Sequence, residues 1–187
     1  MPSTINAATT GIVSTADNSG ALNIQTSGTT AISISATQAV TFAGTATLSG
    51  STSALAAVLT NAVEVATVSA TAATGTINYD VTTQSVLYYT TNASANWTMN
   101  FRGSSGTSLN TLMSTGQSMT VVFLNTNGAT AYYNNAVQVD GSSVTPKYQG
   151  GTAWTAGNAS SIDAYSYTII KTANATFTVL ASQTKFA

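Results

Sequence analysis

The sequence predicts an all-β protein: a slender N-terminal intertwined β stalk over residues 1–70, then a C-terminal antiparallel β-sandwich with one short helix over residues 71–187. Three observations carry this. Apolar residues recur two apart along much of the chain, which is the period of a strand. The composition changes near residue 70: Phe42 is the only aromatic before it, and all eight Tyr, both Trp and the other four Phe follow it. Charged residues make up only 5% of the 187, against roughly 25% in an average soluble protein. Solubility therefore falls to Thr, Ser, Asn and Gln.

In the first part the apolar residues come as i, i+2 pairs: Leu22/Ile24, Ile32/Ile34 and Val40/Phe42, followed by Leu48. Gly- and Thr-rich turns separate them. Strands this short offer one or two inward residues each, and such a ribbon is only marginally stable alone. Three copies around a common axis would supply the missing core, so these six paired residues are the expected trimer-axis packing. Residues 53–63, SALAAVLTNAV, place Leu55, Val58, Leu59 and Ala62 at i, i+3, i+4 and i+7, a pattern of about two helical turns. The following EVATVSATAATG reads as extended chain joining stalk to head.

The second part alternates cleanly. TINYDV gathers Ile77, Tyr79 and Val81 on one face, and NWTMNFR gathers Trp97, Met99 and Phe101. MTVVFL is apolar on both faces, as suits a central strand. AYYNNAVQV sets Tyr133, Val137 and Val139 together. DAYSYTIIKT and ATFTVLA flank a turn at Ala173-Asn174 and predict a C-terminal hairpin. Between NWTMNFR and MTVVFL, the spacing of Leu109, Leu112 and Met113 predicts a short helix with Gly116 at its C′ position. Pro146 demotes its segment to an edge strand or loop.

Chemistry is sparse. The formal net charge is −1 with four Lys and Arg, too few to line a phosphate groove, so nucleic acid is not an expected partner. No apolar run reaches the roughly 18–20 residues that cross a bilayer, and MPSTINAATTG has neither the basic nor the apolar region of a secretory signal. The expectation is synthesis in a cytoplasm and delivery by assembly, without membrane insertion. His and Cys are absent, which removes imidazole and thiolate from catalysis and metal binding. Five carboxylates remain: Asp17, Glu64, Asp80, Asp140 and Asp163. A glycosidase pair needs two of them about 5–10 Å apart in a cleft. Asp140 and Asp163 would meet only by accident of the fold, and the Asp140-Gly141 turn already explains Asp140.

Other spellings fit chance better than chemistry. Ser182 and Lys185 match S-x-x-K but follow a strand instead of opening a helix. GSSGTS at 103–108 has no Lys to serve a phosphate loop. The acidic residues are too dispersed for a calcium site within one chain. The expectation is no enzyme, no cofactor and no metal. The Gly-rich loop KYQGGTAWTAGNASS carries Tyr148 and Trp154, which either stack on a sugar ring or cap the open end of the sandwich. Capping is the favoured expectation.

The opening STINAATTGIVSTADNSGALNIQTSG resembles the start of fibre-like virion structural proteins of tailed phages, especially marine cyanophages. The blocks TGTINYDVTTQSVLYYTTNASANWTMNFRG, SLNTLMSTGQSMTVVFLNTNGATAYYNNAVQVDGSSVTPKYQGG and SIDAYSYTIIKTANATFTVLASQTKFA resemble a C-terminal head domain of cyanophage virion proteins. The resemblance implies a homotrimeric, non-enzymatic virion component, its partners being itself and other tail or capsid proteins. Fully extended, the first ~65 residues reach at most about 215–235 Å, so a short fibre, spike or decoration is expected. The alternative is a receptor-binding fibre whose loops recognise a host surface glycan.

Overall fold

A computed structural model describes residues 22–37, 39–48 and 57–186. The chain divides into two units, Met1–Asn61 and Ala62–Ala187. The all-β class holds: the described elements are strands, with one α-helical turn and one 3-10 turn.

In the first unit β1 (Leu22–Thr26), β2 (Thr29–Ile34) and β3 (Val40–Phe42) form a three-stranded antiparallel sheet. Ser27 and Gly28 join β1 to β2 with φ of 51° and 77°. Two left-handed residues give the turn whose twist matches that of paired strands. The pairing corrects one expectation: these strands find their hydrogen bonds within the chain, where the sequence reading intertwined them between chains. The two-residue Ser27-Gly28 turn and the five-residue link 35–39 made that closure possible. Of the expected helix at 53–63, the part up to residue 56, with Leu55, lies outside the described residues. Residues 57–61 are not helical.

The second unit contains β4 (Ala66–Ala72), β5 (Gly75–Asp80), β6 (Val86–Thr91), β7 (Trp97–Arg102), β8 (Ser118–Thr126), β9 (Asn134–Val139), β10 (Ser142–Val144), β11 (Lys147–Tyr148), β12 (Ile162–Ala173) and β13 (Thr176–Phe186). They make a four-stranded sheet, β10-β9-β7-β5, and a six-stranded one, β11-β13-β12-β8-β6-β4. From β4 to β9 the chain alternates between the two. Each strand of one sheet is the crossover that lets two strands of the other run parallel, a task usually given to a helix. Thus β5, β7 and β9 are mutually parallel, as are β4, β6 and β8. The antiparallel expectation is corrected here. Among the described strands of this unit, β8–β12, β12–β13 and β9–β10 pair antiparallel and the rest parallel.

Alternation decides what lies inside. Ile77, Tyr79, Trp97, Met99, Phe101, Val137 and Val139 of the smaller sheet and Leu87, Val121, Phe123, Tyr165, Tyr167, Ile169, Val179 and Ala181 of the larger share one core. Trp97 meets Phe123 and Tyr165 edge-on at centroid separations of 5.7 and 5.5 Å, and Phe101 meets Tyr167 at 4.9 Å. Edge-to-face pairs of this kind add about 0.5–1.5 kcal/mol beyond area burial. One parity slips. A register shift opposite Trp97/Thr98 turns Asn134 inward. Its Nδ2 donates to the Trp97 and Ala136 carbonyls, and its Oδ1 accepts from the Tyr167 hydroxyl at 2.9 Å.

The helix is one turn, α1 (Leu109–Leu112), held at both ends by charges. Ser108 caps it through the Thr111 amide. Asp140 accepts from the Leu109 and Asn110 amides at 2.6 and 2.9 Å. At the other end the Lys171 ammonium, almost fully buried, donates to the Asn110 and Met113 carbonyls at 2.6 and 2.8 Å. Both charges match the helix dipole. Gly116 lies beyond the expected C′ position, in the next turn, with φ 88° and its amide on the Lys171 carbonyl. Asp140→Ala and Lys171→Met each orphan two backbone groups. Each is expected to cost about 1–3 kcal/mol in urea unfolding. Because both act on one turn, the double variant should lose less than the sum.

Candidate functional site

The register of the N-terminal sheet brings its six paired apolar residues together. Leu22 opposes Ile34, which opposes Val40; Ile24 opposes Ile32, which opposes Phe42. Directly opposed side chains leave a sheet on the same face. The result is a two-by-three grid of large apolar groups, with Asn23, Ser33 and Thr41 on the reverse. Nothing described covers the grid: Leu22, Ile24, Val40 and Phe42 remain 46–53% exposed. A second apolar stretch follows. Val58, Leu59, Val63, Val65 and Val68 are 65–95% exposed, and all five are aliphatic residues that folding ordinarily hides. The sequence reading picked out the grid but not this stretch beyond its presumed helical spacing.

Tyr148 and Trp154 are half-buried. Their rings meet edge-on at 4.8 Å, and Trp154 in turn meets Tyr165 at 5.3 Å. The Trp154 Nε1–H donates to the Asn134 carbonyl at 2.5 Å. The indole edge that would hydrogen-bond a ligand is thus spent on the core, and both rings extend the aromatic row that begins at Trp97. A shallow groove beside them is lined by Gln149, Gly150, Thr152, Trp154, Ser182 and Gln183.

The described carboxylates serve structure. Glu64 accepts from the Ser85 hydroxyl at 3.1 Å, and Asp80 pairs with Arg102 at 2.5 Å. Asp140 holds the start of α1. Asp163 is buried at the opposite end of β12 from Lys171, and a strand rises about 3.3 Å per residue. The Asp140 and Asp163 carboxyls are therefore on the order of 25 Å apart, far beyond a glycosidase pair. Asp17 lies outside the described residues. Ser182 and Lys185 are three apart within β13, so they point to opposite faces. Among the described residues no group of three Asp or Glu is placed to hold a metal ion.

Sequence reasoning missed one cluster. Asn125 Nδ2 donates to Asn127 Oδ1 at 2.9 Å, and Asn127 Nδ2 donates to Asp163 Oδ2 at 3.0 Å. The Asn158 amide reaches the same oxygen at 2.8 Å. Period two contained the signal, since Asn125 and Asn127 share the inward parity of Val121 and Phe123, and Asp163 that of Tyr165. Burial raises the Asp163 carboxyl above its ordinary pKa, against the lowering influence of the Asn158 amide, Lys185 and Asn127.

If Tyr148 and Trp154 are packing residues, Trp154→Ala should lower unfolding stability by about 2–3 kcal/mol and Tyr148→Ala by less. A purely ligand-facing pair would leave stability unchanged within about 0.5 kcal/mol. Urea denaturation followed by fluorescence distinguishes these outcomes. No protein-family model matches the chain, and neither a curated protein nor a solved structure matches it.

Proposed function

We propose that this protein is a non-enzymatic structural component of a phage virion, a homotrimeric β-rich fibre, spike or decoration. Its mechanism is assembly. The observation that carries the reading is the uncovered grid of Leu22, Ile24, Ile32, Ile34, Val40 and Phe42 on a three-stranded sheet. A sheet of this size needs a packing partner on its apolar face. Three copies turned inward would bury three grids against one another, with Asn23, Ser33 and Thr41 left to water. Covering the half-exposed Leu22, Ile24, Val40 and Phe42 is worth on the order of 4 kcal/mol per chain before association costs.

The virion assignment itself rests on the sequence resemblance to cyanophage fibre-like proteins. Low charge agrees with attachment that varies little with salt. A receptor-binding fibre draws less support, because the Trp154 indole N–H and both loop aromatics are already engaged within the chain.

Two measurements test the proposal. The protein should co-purify with intact phage particles through a density gradient at a fixed stoichiometry, and its absence from every particle fraction would overturn the virion assignment. Ile32→Asp and Ile34→Asp each put a charge where chains converge, which costs several kcal/mol when buried unpaired. Cross-linking should then capture monomers in place of trimers. Undiminished trimers in both variants would refute the packing model.

A further inference from the structure

Asn125, Asn127 and Asp163 form a ring of three planar groups on the inner face of the six-stranded sheet. Asn125 and Asp163 are direct cross-strand partners in β8 and β12, and both are 0% exposed. Two of the three junctions are hydrogen-bonded, Asn125 to Asn127 and Asn127 to Asp163. The third is not: Asn125 Oδ1 and Asp163 Oδ1 are both buried without a partner.

Counting donors shows why. Each amide brings one oxygen and one NH2 to the ring, and an ionised carboxylate brings two oxygens and no donor. Three junctions then share two donors. Rotating Asn125 by half a turn, alone or together with Asn127, moves the acceptor–acceptor junction around the ring without removing it, and rotating Asn127 alone adds a second one. One hydrogen is missing, and the carboxyl is the only group able to carry it. Each buried acceptor without a donor has given up its hydrogen bonds to water and gained nothing in return.

We propose that Asp163 is protonated in the folded protein at neutral pH and donates its hydrogen to Asn125, closing the ring. The proton then fastens two loops. Asn158 N–H reaches Asp163 Oδ2, Asn127 N–H reaches the Ser161 carbonyl at 2.9 Å, and Ser160 N–H reaches the Gly128 carbonyl at 2.7 Å. Gly157 packs so closely that a Cβ there would meet Asp163 Oδ2 and Asn127 Nδ2, both at 2.6 Å. Ionisation would place an unmatched negative charge beneath segments 127–133 and 157–161 and loosen them. The charged and titratable groups facing the carboxyl are few. Lys185 is its partner across β12–β13 and favours ionisation, while Tyr165 on β12 stays a neutral phenol because burial raises its pKa. From β8 and the residue just beyond its end come the neutral amides of Asn125 and Asn127.

The sign follows from linkage. The unfolded carboxyl titrates near 3.9, and the folded one holds its proton to higher pH. The contribution to stability is full below about pH 4 and is lost as pH rises through the folded pKa. The test is carbon NMR of the full chain labelled at the Asp carboxyl carbon, which gives four signals. At pH 7 one carbon should keep a carboxylic-acid shift, adjacent to the Asn158 amide proton, and vanish in Asp163→Asn. That variant supplies the third donor as NH2. Its unfolding equilibrium should therefore stay level with pH while that of the wild type shifts about tenfold per unit from pH 4 upward. Four ordinary carboxylate titrations, as a trapped water at the third junction would allow, overturn the proposal. Should Asp163→Asn fail to fold, the wild-type signal decides alone.

Discussion

Water's exclusion of apolar surface acts differently on the two units, and that difference organises the molecule. In the second unit two sheets turn their apolar parities toward each other, so Trp97, Phe101, Phe123, Tyr165 and Tyr167 vanish from solvent within one chain. The N-terminal sheet has the same alternation and, among the described residues, no opposing layer. Its grid of six side chains is assembled by local pairing, and the four on β1 and β3 are left about half in water. With so few charges available, the chain has little else with which to bring copies together. Association through that face is the physical basis of the assembly reading.

Inside the second unit, most buried polar side chains belong to a hydrogen-bonded network. Lys171 reaches inward from β12 because two carbonyls at the end of α1 await it. Asn134 turns inward through a register shift and there serves Trp97, Ala136 and Tyr167. Asp163 lies at the other end of β12 from Lys171, joined to two amides. A buried group without partners costs more than a well-made hydrogen bond returns, so these few residues fix the loops around them more firmly than their number suggests.

Period two made much of this legible. The inward sets of β5 and β7 are those that alternation predicts, and the six grid residues were identifiable from their i, i+2 spacing alone; β8, apolar on both faces in sequence, buries only the face of Val121, Phe123 and Asn125. Strand direction was not legible. A two-residue link such as 73–74 between β4 and β5 reads as a hairpin turn, yet it carries the chain to the opposite sheet. β6 escaped notice because VLYYTT is apolar at adjacent positions and lacks clean alternation. The Asn134 shift defeated parity in β9, since one extra residue flips every side chain after it. Among site residues, Tyr148 and Trp154 were found from their loop, but only the fold reveals that the Trp154 N–H is bound to Asn134. The Asn125–Asn127–Asp163 ring depends on register between strands distant in sequence, which no local pattern encodes.

The claim that the N-terminal grid requires other copies is tested most directly by sedimentation equilibrium of the purified full chain at low micromolar concentration. The account predicts three times the chain mass of 18.9 kDa, with dissociation only on dilution or denaturation. A single-chain mass throughout, with β1–β3 still protected from hydrogen exchange, would contradict it.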